Sequence, residues 1–267
     1  MTSRRPRGPA RPPRSRELAV GQFARFDLDR PRRTGVPEVI LAEGKRPEEV
    51  VQLLRALHRR GIAALASRVT PAHRRALERA RREGLPLRWR ASGRLALLGS
   101  PPGPRSAAGP VAVLTAGTSD GPVADEIVAV LEALGIPVRE ARDVGVAGLH
   151  RLLRALRGLA AAQPRIYLVC AGREGALPTV VAGLVRAPVV GVPTSSGYGR
   201  GGRGEAALSA MLQSCAPIAV VNIDAGVPAA LFAAQLLAAR SRGRRGAPAR
   251  RPASVRAGGV RAAGKAF

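Results

Sequence analysis

The 267-residue sequence predicts an α/β protein in which a small α+β domain precedes a doubly wound, parallel five-stranded sheet. Three observations carry this reading. From residue 111 to 240 short apolar runs alternate with helix-length amphipathic stretches, and each run closes in a loop of small residues. Ahead of them, Pro101-Pro102-Gly103-Pro104-Arg105-Ser106 marks a shift of composition. Domains are therefore expected at 17–100 and 109–240, with a linker at 101–108 and basic, disordered tails at 1–16 and 241–267.

In chain order, 17–26 reads as a helix, and Glu38 to Leu41 is a short strand. A helix starts at Pro47, where Val50, Val51, Leu53, Leu54 and Leu57 form an apolar face. Ile62 to Ala66 is a second strand, 71–82 a basic helix containing His73, and Leu85 to Arg90 pairs with Arg94 to Leu98 as a hairpin. His58 and His73, set among arginines, are expected to face solvent. In the second domain strands are expected at 111–115, 137–141, 165–170, 188–192 and 217–221. Helices follow each of them, at 122–134, 147–161, 175–185, 204–214 and 227–240. Right-handed crossovers then place helices on both faces of a parallel sheet.

The formal charge of +26 points first to nucleic acid, but its distribution matters more than its total. Six arginines lie within 1–16, and eight arginines with one lysine lie within 240–267, with no acid in either stretch. The tails thus hold more than half of the excess, which gives only salt-sensitive, sequence-independent nucleic-acid binding. Aromatic residues, at 3%, are too few for base stacking. Cys170 and Cys215 make neither a disulfide framework nor a zinc spacing, and both read by position as small buried hydrophobes. Every apolar run falls well short of the about 18 residues of a membrane span, and no signal peptide is evident, so a cytoplasmic chain without a membrane partner is expected.

The stretch Val111 to Asp143 organises the chain. Its strand breaks into Ala116-Gly117-Thr118-Ser119-Asp120-Gly121-Pro122, where two glycines permit a turn, Thr118, Ser119 and Asp120 are helix-capping types, and Pro122 suits a first helical position. Amides at such a helix start form a candidate cradle for a phosphate or carboxylate. Alone the loop is weak, since it lacks the glycine spacing of a dinucleotide loop and the lysine of a P-loop. Three further loops join it on one rim: Asp143-Val144-Gly145-Val146, Cys170-Ala171-Gly172-Arg173-Glu174-Gly175 and Pro193-Thr194-Ser195-Ser196-Gly197-Tyr198-Gly199, with Asn222 to Gly226 after the fifth strand. Gly117, Thr118, Ser119, Asp120, Asp143, Gly172, Arg173, Ser195, Ser196, Gly197 and Tyr198 are the candidate substrate-binding residues. Glu174 is either a favourable charge at a helix start or an acid/base group, and His150 is open between a surface, a core and a proton-carrying role.

Read together, the stretches GTSDGPVADE, DVGVAGLHRLL, AGREGALPTVVAGLV, VPTSSGYG, AMLQSCAP and VVNIDAG closely resemble the LarB family, the pyridinium-3,5-biscarboxylic acid mononucleotide synthases of nickel-pincer cofactor biosynthesis. DLDRPRRTGVPEVILAEGK and ASRVTP resemble that family's amino-terminal domain, so the resemblance covers about 17–240. The carboxyl-terminal domain is similar to PurE, the aminoimidazole ribonucleotide carboxylase or mutase, a three-layer fold of flavodoxin-like type.

The resemblance implies carboxylation of the pyridinium ring of nicotinic acid adenine dinucleotide by carbon dioxide or bicarbonate. Cleavage of the phosphoanhydride would release AMP, and magnesium would serve as cofactor. It assigns Cys215 as the adduct-forming thiol, Cys170 as a second active-site cysteine and Glu174 as an acid/base or magnesium-linked group, and it implies a homo-octamer. For that assembly the apolar helix Val227 to Leu237 is the expected subunit surface.

The chain departs from the family at Arg200-Gly201-Gly202-Arg203-Gly204, at Ala225 and at Val227. Alternative functions are a PurE-like purine carboxylase or mutase, and a nucleic-acid-associated basic protein without catalysis.

Overall fold

The computed structural model describes residues 16–90, 94–100, 109–197 and 199–246. The linker 101–108, Tyr198 and almost all of the expected tails lie outside the described residues.

The first described elements are a hairpin, β1 (Glu17–Val20) and β2 (Ala24–Asp27), where a helix was expected. Leu18 pairs with Phe26 in register and both are buried, while Gly21, at φ 53°, turns the chain between the strands. A ten-residue stretch with Leu18, Val20 and Phe26 fits either period, and tertiary burial chose the strand. After the single turn α1 (Arg30–Thr34) come β3 (Val39–Leu41), α2 (Pro47–His58), β4 (Ala64–Ser67), α3 (Pro71–Arg82), β5 (Leu87–Arg90) and β6 (Leu95–Leu98). The strands form one sheet in the order β3-β4-β6-β5, and β5 and β6 are the expected antiparallel pair.

His73, expected to face solvent, is buried. It is 4% exposed, its Nε2 lies 2.8 Å from the Lys45 carbonyl and its Nδ1 2.6 Å from Thr70 Oγ1. The carbonyl can only accept, so Nε2 donates to it and the ring ties α3 to the turn before α2. The surrounding arginines lie on the other face of α3, which is why sequence neighbours misled.

Both faces of this sheet are covered. Side chains alternate along a strand: Ala64 and Ala66 face α2 and α3 in a core with Leu53, Leu54, Leu57 and Leu77. Leu65, Leu95 and Leu97 point the other way, into the core of the second domain. The two domains are therefore fused through one shared apolar layer rather than joined by a linker alone.

The ten elements expected between 111 and 240 all form, in order: β7 (Val111–Thr115), α4 (Gly121–Ala133), β8 (Val138–Ala141), α5 (Leu149–Ala160), β9 (Ile166–Ala171), α6 (Ala176–Leu184), β10 (Val189–Pro193), α7 (Glu205–Leu212), β11 (Ile218–Val220) and α8 (Gly226–Gly246). The five strands are parallel in the order β11-β10-β9-β7-β8. Helices α4 and α8 cover one face, and α5, α6 and α7 the other. The order reverses between β7 and β9, and such a switch point leaves a crevice beyond the carboxyl ends of the strands.

Helix α8 differs from expectation twice. It extends to Gly246, past the boundary at 240. Its apolar side is also not a free subunit surface: Val227, Ala229, Ala230, Ala233, Ala234 and Leu237 are buried against α4 in this chain's own core, leaving Phe232 exposed. Small alanines let the two helices approach closely.

Candidate active site

A cavity of about 350 Å³ opens beyond the switch point. Four loops line it: Ala116, Gly117, Ser119 and Asp120 after β7; Gly145, Val146 and Ala147 after β8; Ala171 to Gly175 after β9; and Ser196 after β10. The rim expected from the sequence thus encloses a cavity, and the loop after β11 lies to one side of it.

At its floor sits Asp120, 3% exposed, at the end of a 3-10 turn (Thr118–Asp120) that leads into α4. Its Oδ2 accepts the N–H of Gly117 at 2.8 Å, and its Oδ1 accepts the hydroxyls of Thr194 at 2.5 Å and Ser196 at 2.9 Å. The two hydroxyls lie 2.8 Å apart. A buried carboxylate with three donors is well satisfied. The Gly117 amide, expected to face a ligand anion, is turned instead onto the chain's own carboxylate, so the loop presents an acceptor cluster at its floor.

Gly172 lies directly against this network. A Cβ there would stand 2.1 Å from Ser196 Oγ, 2.5 Å from Thr194 Oγ1 and 3.2 Å from Asp120 Oδ1, so only glycine fits. Gly175 is held at φ 67° before α6, and a Cβ on it would meet the Ala207 carbonyl oxygen at 2.6 Å, which seats the β9 loop on α7. Arg173 and Glu174 stand between these glycines, exposed on the cavity wall.

The other expected residues are distributed as follows. Ser195 donates its N–H to Asp224 Oδ1 at 2.9 Å, and Gly197 packs on the Gly172 carbonyl. Thr118 is exposed and not in the cavity lining, and Asp143, at φ 55°, forms an ion pair with Arg151 at 2.5 Å outside it. The N–H of Asp143 donates to the buried Thr115 hydroxyl at 3.0 Å, so this aspartate shapes the β8 loop. His150 and His58 are exposed.

The two thiols have opposite environments. Cys170, in β9, is completely buried, and burial first, then the nearby Asp120 and Asp224 carboxylates, push its thiol well above the ordinary range, against a smaller pull from Arg142. A thiol held in its neutral form is a poor nucleophile. Cys215, expected in the core, is exposed instead. It lies in the turn between α7 and β11, and β11 starts beside the first residue of β10, so Cys215 is at the amino ends of the strands, away from the cavity at their carboxyl ends. Ser214 pins this turn: its Oγ accepts the Thr179 hydroxyl at 2.8 Å and the Ala216 N–H at 3.1 Å. A single chain does not bring Cys215 to Glu174 or Asp120.

Sequence reasoning missed a second cavity of about 320 Å³, in the cleft between the domains. It is lined by Glu43, Arg68 and Arg94 from the first domain and by Ser119, Pro122, Val123, Glu126, Thr194, Ser195, Ser196 and Asp224 from the second. Arg68 links the domains, donating to Glu43 Oε2 and to the Asp224 carbonyl, each at 2.9 Å. Its backbone takes φ 51°, uncommon for a residue with a side chain. Glu126, on α4, is 7% exposed and its Oε1 has no hydrogen-bond partner. Burial raises its pKa, opposed by the charges of Arg68 and Arg94 and by the Val227 N–H. The available signal was a carboxylate on the apolar face of α4, three residues after Val123 and one before Ile127.

Comparison with known proteins divides the chain along the same line. Residues 18–99 match the LarB/PurE-like N-terminal domain, and residues 110–247 match the AIR carboxylase domain. The uncharacterized protein MJ0165 of Methanocaldococcus jannaschii is 38% identical over 218 residues, covering 80% of this chain and 84% of its own. An N5-carboxyaminoimidazole ribonucleotide mutase of Pyrococcus horikoshii is 34% identical over 133 residues, 48% of this chain and 71% of its own. A probable enzyme of the same description from Methanothermobacter thermautotrophicus is 31% identical over 133 residues, 48% of this chain and 37% of its own.

Proposed function

The chain belongs to the LarB family, with a PurE-like AIR carboxylase domain behind a LarB-type amino-terminal domain, and from this premise we propose that it carboxylates the pyridinium ring of nicotinic acid adenine dinucleotide. A PurE-like carboxylase-family function comes with the domain itself. The finer reading adds hydrolysis of the phosphoanhydride, which gives pyridinium-3,5-biscarboxylic acid mononucleotide and AMP. The observation that carries it is the two-domain match: MJ0165 aligns over both domains, whereas the ribonucleotide mutases align over about half the chain.

The chemistry needs a nucleophile, since an electron-poor pyridinium will not attack carbon dioxide. A thiolate adding para to the ring nitrogen forms a carbon–sulfur bond and leaves a dihydropyridine whose neighbouring carbon is an enamine. That carbon takes up carbon dioxide, a base removes its proton, and the carbon–sulfur pair returns to sulfur as aromaticity is restored. Water then cleaves the anhydride. Cys215 is the proposed nucleophile and Glu174 the base at the rim. Cys170, buried with a raised pKa, is suited to supporting the floor under Asp120.

Because Cys215 lies far from its own cavity, this reading requires a neighbouring subunit to deliver it, in keeping with a homo-octamer. The exposed Leu149, Leu153, Leu184 and Leu212 supply apolar surface for such contacts.

Among the described residues no group of three or more His, Cys, Asp or Glu side chains is placed to cage a metal ion. The residues fit a magnesium ion of the phosphate-carried kind, which needs only one or two carboxylates from the protein. Glu174, the exposed carboxylate of the main cavity, would hold such an ion only in place of its role as base, and the ion would supply charge neutralisation at the anhydride. Intact-protein mass spectrometry with nicotinic acid adenine dinucleotide tests the assignment. An adduct lost in Cys215→Ser and kept in Cys170→Ser supports it, and the reverse pattern overturns it.

A further inference from the structure

We infer that the interdomain cleft seats the second ribose 5′-phosphate of a dinucleotide, with the amino-terminal domain contributing Arg94 to its phosphate and Glu126 accepting from its sugar. This rests on the dinucleotide reading of the main site and goes beyond it, because it assigns the first domain a direct part in substrate choice.

The two cavities are neighbours. Ser119 and Ser196 line both, so a ligand leaving the 350 Å³ site past these hydroxyls enters the 320 Å³ cleft. Each volume is on the scale of a small-ligand pocket, and together they suit a molecule of two linked halves.

The cleft's chemistry is mixed in sign, which narrows the ligand. Arg68 and Arg94 offer positive charge, but Glu43, Asp224 and Glu126 also face the space. Arg68 is engaged by Glu43 and the Asp224 carbonyl, and Asp224 Oδ1 by the Ser195 N–H, so two groups stand out: the exposed guanidinium of Arg94 and the buried, unpartnered Oε1 of Glu126. A bare anion satisfies the first and is repelled by the second. A buried acceptor without a donor costs free energy until one arrives. A phosphorylated sugar carries both complements, phosphate oxygens for an arginine and hydroxyl donors for a carboxylate. The hydroxyls of Ser119 and Ser195 add donors suited to phosphate oxygens at the junction. The left-handed backbone of Arg68 holds the first domain's loop in this cleft, although packing between the domains could have been made with apolar contacts alone.

Isothermal titration of the full chain with nicotinic acid adenine dinucleotide, nicotinic acid mononucleotide and AMP tests this, in wild type, Arg94→Ala and Arg94→Lys. Arg94 is exposed, so its replacement leaves the fold intact. Loss of a charge-assisted contact predicts a fall in dinucleotide affinity of about tenfold or more in Arg94→Ala, partly recovered in Arg94→Lys, with mononucleotide affinity changed less than about twofold. Unchanged dinucleotide affinity, or equal loss for dinucleotide and mononucleotide, overturns the inference and leaves the main-site reading standing. Weakening of AMP alone would mean that the cleft takes a free nucleotide, which also overturns it. If neither dinucleotide nor mononucleotide binds wild type, the main-site reading falls and this inference with it.

Discussion

Replacing Gly172 with alanine adds one methyl group at the most crowded point of the site. The backbone of Gly172 lies outside the left-handed region, so space alone decides the outcome. The new Cβ would overlap Ser196 Oγ at 2.1 Å and Thr194 Oγ1 at 2.5 Å, and both hydroxyls donate to Asp120. Accommodation requires the β9 and β10 loops to part, an overpacking cost of about 1–3 kcal/mol. It also leaves a buried carboxylate oxygen short of donors, a further cost of about 1–3 kcal/mol. A central value of about 4 kcal/mol for the two together lowers Tm by roughly 8–16 °C in a chain of this size.

Gly183 in α6 provides the internal contrast, since a Cβ there meets nothing within 4 Å. The same substitution at that helical position should stabilise by about 0.5–1 kcal/mol. Thermal melts followed by circular dichroism compare the two, and Ser196→Ala placed on Gly172→Ala should recover part of the loss by removing the closest clash. A Gly172→Ala protein that melts with wild type, or a double variant that melts at the sum of its parts, would refute the steric argument.

Glu126→Gln should raise stability at neutral pH. Burial lifts the carboxyl pKa of Glu126 above its unfolded value, so its favourable contribution is fully present below the unfolded pKa and is lost as pH rises through the folded one. The Tm difference between variant and wild type should therefore be greatest near pH 8 and close towards about pH 4.5, and a constant difference across that range would count against it. In a thiol-reagent titration at pH 8, Cys215 should react at once and Cys170 only on unfolding; two equally fast thiols would contradict the burial of Cys170. Thr194→Val keeps side-chain volume but removes one donor from Asp120, and should cost about 1–3 kcal/mol in a urea melt. A wild-type midpoint would show that Ser196 and Gly117 suffice.

The second domain was legible because its strands are short apolar runs bounded by glycine, proline and hydroxyl residues, and buried parallel strands leave no other reading of Val111 to Thr115 or Ile166 to Ala171. The rim followed from strand direction alone. What escaped was settled by contacts distant in sequence. Leu18 and Phe26 chose a hairpin by pairing with each other, and His73 was buried by a carbonyl 28 residues away. The apolar side of α8, equally suited to a subunit surface or a core, went to α4. Arg68, inside the ASRVTP stretch, carried a family signal but no chemical one until Asp224, 156 residues on, came into reach. Arg94 carried neither. Cys215 was singled out by the family's motif alone, and its turn lies at the end of the strands away from the cavity.

The most direct measurement incubates the full chain with nicotinic acid adenine dinucleotide, magnesium and labelled bicarbonate, and in parallel with aminoimidazole ribonucleotide. Acid-stable label in a pyridine mononucleotide with release of AMP is expected, and none from the imidazole substrate. Label appearing only in the imidazole product, with the dinucleotide returned intact, would contradict it.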